Sequence, residues 1–275
     1  MPEKSKKVLV LTAHPDDAEF FAGGTLAKMI LAGAEVALTI ATDGDAGSFE
    51  LDRARLADVR RMEALQAAAV LGVGEVVFLG HSDGELDRLE PGRLRGQFVR
   101  AIRQHRPDVL FAFDPFAPFE EHPDHRAAGF AAVEAAGFSA LPLCYPEQLD
   151  EGLEPHRVAE KYFFAKQPGH ADQAVDISDT LELKVAAILE HRSQVDFLFA
   201  SYAQQAELAG VDIADSLSEG AVEGEQPGRW IAQAVRERAR ADGAAVGLPF
   251  AERFRRVRLS RTAEMVLHKN AGDQS

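Results

Sequence analysis

Hydrophobic and polar positions in the first half of the chain alternate between two periods. Val8–Ala13 is a short apolar run rich in β-branched residues, which predicts a buried strand. Gly23-Gly24 then predicts the opening of a helix over roughly Thr25–Ala32, closed by Gly33. Val36–Ala41 predicts a second strand, followed by an Asp/Gly-rich loop over 43–48. Leu56, Val59, Met62, Ala67 and Val70 recur near a period of 3.6 and predict a helix over Leu51–Leu71. Strands at Val76–Leu79 and Val109–Phe113 bracket a helix at Leu94–Gln104 that stops before Pro107, and Arg126–Ala136 is again helical.

Strand, loop and helix repeated in this order predict an α/β fold: a Rossmann-like, doubly wound, mostly parallel sheet with helices on both faces. Right-handed crossovers favour a strand order beginning 3-2-1-4. Past Pro142 the pattern weakens. Tyr162–Ala165 and Ala174–Ile177 read as strands, Leu181–His191 and Trp230–Ala239 as helices. A single α/β domain over 1–275 is expected, with a core over about 6–195, a polar helical elaboration over about 197–247 and a C-terminal return over 248–270. Among a lid, an oligomer contact and a surface elaboration, the last is the default for the polar stretch.

Charge narrows the partners. A net charge of −14 opposes binding to nucleic acid or to an anionic membrane surface. No run approaches the ~20 apolar residues of a membrane span, and the lone cysteine, Cys144, has no internal partner. A cytoplasmic protein is expected, and a homo-oligomer is compatible with the sequence.

In open α/β sheets, ligands sit at the carboxyl ends of the strands where the winding reverses, here between the first and fourth strands. The sequence concentrates metal-capable side chains there: Ala13-His14-Pro15-Asp16-Asp17 after the first strand, and Glu121-His122-Pro123-Asp124-His125 after the fourth. A catalytic zinc site needs three N/O ligands and one open position. His14 and Asp17 can face one point across the proline turn, and His125 can supply the third ligand from the adjoining loop. Asp16, His122 and Asp124 remain as the types needed for a base, an oxyanion stabiliser and an orienting partner. Either motif alone reads equally well as a capped helix start; both at adjoining strand ends point to a metal site.

These two motifs, with Gly23-Gly24-Thr25 behind the first and Arg126 after the second, resemble the signatures of the PIG-L/LmbE family of zinc-dependent de-N-acetylases, many of which act on N-acetylglucosamine conjugates. Weaker likenesses are Thr42-Asp43-Gly44, Leu71-Gly72-Val73, Asp83-Gly84, His191-Arg192-Ser193-Gln194 and Glu252-Arg253-Phe254. The resemblance implies that His14, Asp17 and His125 hold Zn²⁺, although another divalent metal such as Fe²⁺ fits the same ligands. It implies that Asp16 is the general base, that a protonated His122 stabilises the oxyanion, and that Asp124 supports His122. The expected substrate is an N-acetylated small molecule. Arg60, Asp83, Glu121 and His191 are candidates for substrate contacts, each with a plain alternative: a solvent-facing helix arginine, a turn aspartate, a loop carboxylate and a structural histidine. Phe119-Glu120-Glu121 brings acidic charge near the second motif.

Three rivals remain. Dinucleotide binding would need Gly-x-Gly-x-x-Gly directly after the first strand, and this chain has His-Pro-Asp-Asp there. Hydrolysis of another amide or an ester is open to the same metal site, and a non-catalytic metal-binding protein is the third.

Overall fold

In a computed structural model, residues 5–164, 170–210 and 226–258 are described. The elements run β1 (Lys7–Thr12), α1 (Asp17–Leu31), β2 (Glu35–Thr42), α2 (Arg53–Leu71), β3 (Glu75–His81), α3 (Arg93–His105), β4 (Val109–Phe113), α4 (Pro123–Phe138), α5 (Glu147–Asp150), β5 (Glu160–Phe164), β6 (Gln173–Asp176), α6 (Leu181–Glu190), α7 (Arg192–Leu208), α8 (Gln226–Ala244) and β7 (Ala251–Val257). They form one seven-stranded sheet in the order β3-β2-β1-β4-β5-β7-β6. The first five strands are parallel, and β7 is antiparallel to both β5 and β6. The predicted 3-2-1-4 order therefore holds, with the winding reversal between β1 and β4.

Burial on both faces explains the near-continuous apolar runs of β1 and β4. Leu9, Val10, Leu11, Leu110, Phe111 and Ala112 are wholly inaccessible. Helices α3 and α4 pack together on one face, α1, α2 and α6 on the other. No helix among the described residues is long and apolar enough to cross a membrane.

Two expectations are corrected. Helix α1 begins at Asp17 and runs through Gly23-Gly24 rather than starting after them. The glycines serve packing: a Cβ on Gly24 would lie 2.9 Å from the Ile177 side chain, and one on Gly23 would lie 3.2 Å from Lys184 Cγ. The buried stripe of α2 also includes the polar Arg60 and Glu63, while Met62 faces solvent. The C-terminal return reaches the sheet as β7; Ala165 of the fifth predicted strand, residues 211–225 of the polar stretch and residues 259–270 lie outside the described residues.

Candidate active site and metal centre

The parallel pairing of β1 with β4 fixes where the two motif loops leave the sheet. Asp17 opens α1, and His122 caps α4 with proline at its first position, so each motif sits at the start of a helix. The backbone N–H groups of Ala13 and His14 donate to Asp17 Oδ2 at 3.1 and 2.7 Å, which ties that carboxylate into the turn. Its Oδ1 then lies 3.4 Å from His125 Nε2, and His14 Nδ1 lies 3.1 Å from the same nitrogen. Asp17 Oδ2 is 3.6 Å from His14 Nδ1.

This convergence fits a cation. Ligands about 2.0–2.1 Å from a tetrahedral zinc stand roughly 3.3 Å apart, close to the three separations found. Two buried imidazole nitrogens at 3.1 Å need a proton or a metal between their lone pairs. The opposite nitrogen of each ring faces a carboxylate, as in histidines that ligate metals. His14 Nε2 is 3.3 Å from Asp124 Oδ2 and 3.2 Å from Asp83 Oδ1, and His125 Nδ1 is 3.1 Å from Glu120 Oε1. His14, His122 and His125 also bring one nitrogen each within 4.8 Å of one another, as do ligand atoms of His14, Asp83 and Asp124. The latter group uses the outward nitrogen of His14, where a donated N–H to two carboxylates already accounts for the contacts.

The electrostatics follow from this crowding. Burial pushes the His14 imidazole toward its neutral form, but the Asp17 charge and hydrogen bonds to Asp124, Asp17 and Asp83 outweigh it and raise its pKa well above the usual value. His125 is raised for the same reason, through Asp17 and Glu120. Burial alone would raise Asp17, yet His125 and His14 hold it well below the ordinary carboxylate range. Asp83 sits at about 2, burial being outweighed by His14 and Arg60. A cation on the inward nitrogens competes for the sites that these protons occupy.

Of the remaining candidates, Asp16 lines the cavity above the cluster, and Arg60 Nη2 donates to its Oδ1 at 2.8 Å. Arg60 is buried and also donates to the Gly44 carbonyl at 2.9 Å, so it engages the protein rather than waiting for an anion. Asp83 borders the cavity and is turned toward His14. His122 lines the cavity with its side chain 39% exposed.

The expected pairing of Asp124 with His122 is corrected. The Asp124 side chain is fully buried and accepts from the N–H groups of Gly84 at 2.7 Å and Leu86 at 3.0 Å while facing His14. His122 Nδ1 instead accepts from the Asp124 backbone N–H at 3.3 Å, leaving Nε2 as the donor of the neutral ring. Burial, then the charges of His14 and His125, lowers the His122 pKa. The Asp124 carboxylate therefore does not back the His122 ring; the Asp124 backbone N–H meets it instead.

Two substrate candidates are also corrected. Glu121 is exposed and does not line the cavity; its carbonyl accepts from Arg126. His191 is wholly buried at the start of α7, its Nε2 3.5 Å from Glu19 Oε2, and takes no part in the cavity wall. Sequence reasoning missed the contact of the Glu120 carboxylate with His125 Nδ1, and Phe113, which stacks on His125 at 4.0 Å between ring centres.

The cavity has a volume of about 810 Å³. Its far wall comes from the polar stretch expected to be surface: Phe197, Leu198 and Tyr202 of α7, and Val235 and Ala239 of α8. Lys184 of α6 and Glu252 of β7 form a buried ion pair in the same wall at 2.6 Å. Glu252 also accepts from the Gly24 and Thr25 N–H groups, and Lys184 Nζ donates to the Phe20 carbonyl, so α1 is clamped in mid-helix.

Comparison with known proteins agrees with this geometry. The model of the PIG-L family, described as GlcNAc-PI de-N-acetylase, matches residues 9–136. A diacetylchitobiose deacetylase of Thermococcus kodakarensis is 38% identical over 192 residues, covering 69% of this chain and 70% of that protein. The 1D-myo-inositol 2-acetamido-2-deoxy-alpha-D-glucopyranoside deacetylase of Mycobacteroides abscessus is 30% identical over 232 residues, covering 70% and 82%. The solved structure of N,N'-diacetylchitobiose deacetylase from Pyrococcus horikoshii, in complex with an inhibitor, aligns with a TM-score of 0.74 at 32% identity, covering 93% of this chain and 85% of that one. Sequence and fold agree: the chain belongs to the PIG-L family of de-N-acetylases.

Proposed function

We propose that the chain hydrolyses the acetamide of an N-acetylglucosamine conjugate, with Zn²⁺ held by His14, Asp17 and His125. The observation that carries this reading is the approach of His14 Nδ1, His125 Nε2 and Asp17 oxygen to within 3.1–3.6 Å of one another at the floor of a cavity. The relatives support the substrate class, since the two deacetylases compared above are named for substrates that carry N-acetylglucosamine.

A divalent cation in this site supplies acidification of a water and polarisation of the acetamide carbonyl. Asp16 takes the proton from the attacking water. Its Oδ1 is fixed by Arg60, which leaves Oδ2 to face the reacting atoms. The same carboxyl returns the proton to the leaving amine, which must be protonated to depart. His122 donates its Nε2–H to the carbonyl oxygen as negative charge develops there, a contribution on the order of 10²–10³ in rate. Asp124 and Glu120 hold the outer nitrogens of His14 and His125, fixing both rings and their tautomers.

The test is free-amine release from N-acetylglucosamine conjugates by protein of measured metal content. Chelation should abolish release, and zinc should restore it ahead of iron, manganese or magnesium. Full activity after complete metal removal would overturn the reading.

A further inference from the structure

Four basic side chains other than histidine line the cavity: Arg60, Lys184, Arg238 and Arg253. Three of them meet carboxylates within the wall, Arg60 with Asp16, Lys184 with Glu252 and Arg238 with Asp242. Arg253 meets none among the described residues, and its Nε is shut off from solvent without a hydrogen-bond partner. Its strand neighbours do have carboxylate partners: Arg255 makes a two-pronged contact with Asp114, and Arg256 donates to Glu160 through Nη2, although the Nε of Arg256, like that of Arg60, also lacks a hydrogen bond. A guanidinium in a cavity wall with no carboxylate beside it among the described residues keeps its charge available to an anionic ligand.

Position adds the second argument. Arg253 is fixed in register opposite Ala174 of β6. In the sheet order, β7 stands three strands from β1, which is about 14 Å at the usual strand spacing. That span is too long for the acetamide itself and suits a substituent on the far side of a sugar ring. The chain carries a net charge of −14, so its overall field repels anions, and an anionic substrate needs a local cation. The planar guanidinium fork matches a carboxylate or a phosphate.

Resting on the function proposed above, we propose that Arg253 is a specificity-determining residue that binds an anionic group, carboxylate or phosphate, on the part of the substrate remote from the acetamide. The substrate is then an acidic N-acetylglucosamine conjugate rather than a neutral one.

Three probes test this: the methyl glycoside of N-acetylglucosamine, a glycoside whose aglycone bears a carboxylate, and one whose aglycone bears a phosphate ester. Arg253→Gln should lower kcat/KM on an anionic probe by about 10–100-fold, mainly through KM, and alter the neutral probe by less than about threefold. Arg253→Lys should recover part of the loss, which also guards against a folding defect in the glutamine variant. The probe that depends more strongly on Arg253 identifies the anion. Calorimetric binding of the same probes separates the two proposals. Anion binding that depends on Arg253 without turnover of any probe sinks the deacetylase reading and leaves the anion site standing. Equal losses on all three probes, or a wild-type enzyme that neither binds nor turns over an anionic probe better than the neutral one, overturn the proposal.

Discussion

Along β1 and β4 the site is assembled from short loops whose polar atoms satisfy one another: Asp17 is held by two backbone N–H groups, Asp124 by two more, and each inward histidine is backed by a carboxylate. Along β7 and helices α6–α8 the cavity wall is built differently, from apolar side chains and from the ion pairs Lys184–Glu252 and Arg238–Asp242. The first region is preorganised around one point, which is what stabilising a developing charge requires. The second is a shaped surface in which Arg253 meets no carboxylate among the described residues. The proposed function places the chemistry at the winding reversal and the fit of the substrate in the elaboration that follows it.

Substitutions in the two regions should therefore fail in different ways. The largest effect is expected from His14→Ala, which should reduce bound metal from about one ion per chain to near zero and bring free-amine release to background. Asp16→Asn should retain the metal and lose roughly 10²–10⁴ in kcat. Metal analysis beside a rate assay separates them, and full activity of Asp16→Asn would show that proton transfer lies elsewhere. Lys184→Met strikes the other region. It leaves Glu252 as a buried unpaired charge, so unfolding free energy should drop by about 3–5 kcal/mol while kcat of the folded fraction stays close to that of the parent. A collapse of kcat with unchanged stability would move Lys184 into the chemistry and erase the contrast. Glu120→Gln is milder. It weakens the backing of His125 and should cost about 10–100-fold in metal affinity or rate, read by competition with a chelator.

The contrast also explains what the amino-acid sequence discloses. The strand order and the meeting of His14 with His125 follow from local periodicity and the handedness of crossovers, rules that need no knowledge of side-chain packing. Details set by tertiary contacts stayed hidden. Gly23-Gly24 looks like a helix boundary because glycine costs about 1 kcal/mol in a helix interior, and only the approach of Ile177 explains its place inside α1. Arg60 and Glu63 break the apolar period of α2 because they face the site and the start of α7, where Glu63 accepts from Ser193. Asp124 stands two residues from His122, so the sequence suggests a pair. The first turn of α4 instead aims the carboxylate at His14 and at the Gly84 and Leu86 amides. The wall from α7 and α8 was illegible because its apolar residues are interspersed with charges, and their common face exists only once the helices pack.

The smallest expected effect lies where β5 meets β7, away from the proposed metal ligands, and it tests whether the second region is held by electrostatics at all. Glu160 accepts from Arg256 at 2.9 Å and from Arg258 at 3.2 Å. Burial raises its pKa, but Arg256 and then Arg258 outweigh that and lower it below the usual value. A lowered folded-state pKa means that the pair's contribution is complete above the unfolded value of about 4.3 and is lost as pH falls through the lower folded value. Because Arg258 is largely exposed, solvent screening holds the contribution to about 0–1 kcal/mol. Glu160→Gln should therefore lower stability by no more than that at neutral pH, and the difference from wild type should vanish in acid. Denaturant titrations at neutral pH and below the folded-state value measure both ends. A deficit that persists in acid would mean that Glu160 supports β7 through packing of its methylenes, and that the antiparallel edge owes its position to shape rather than to charge.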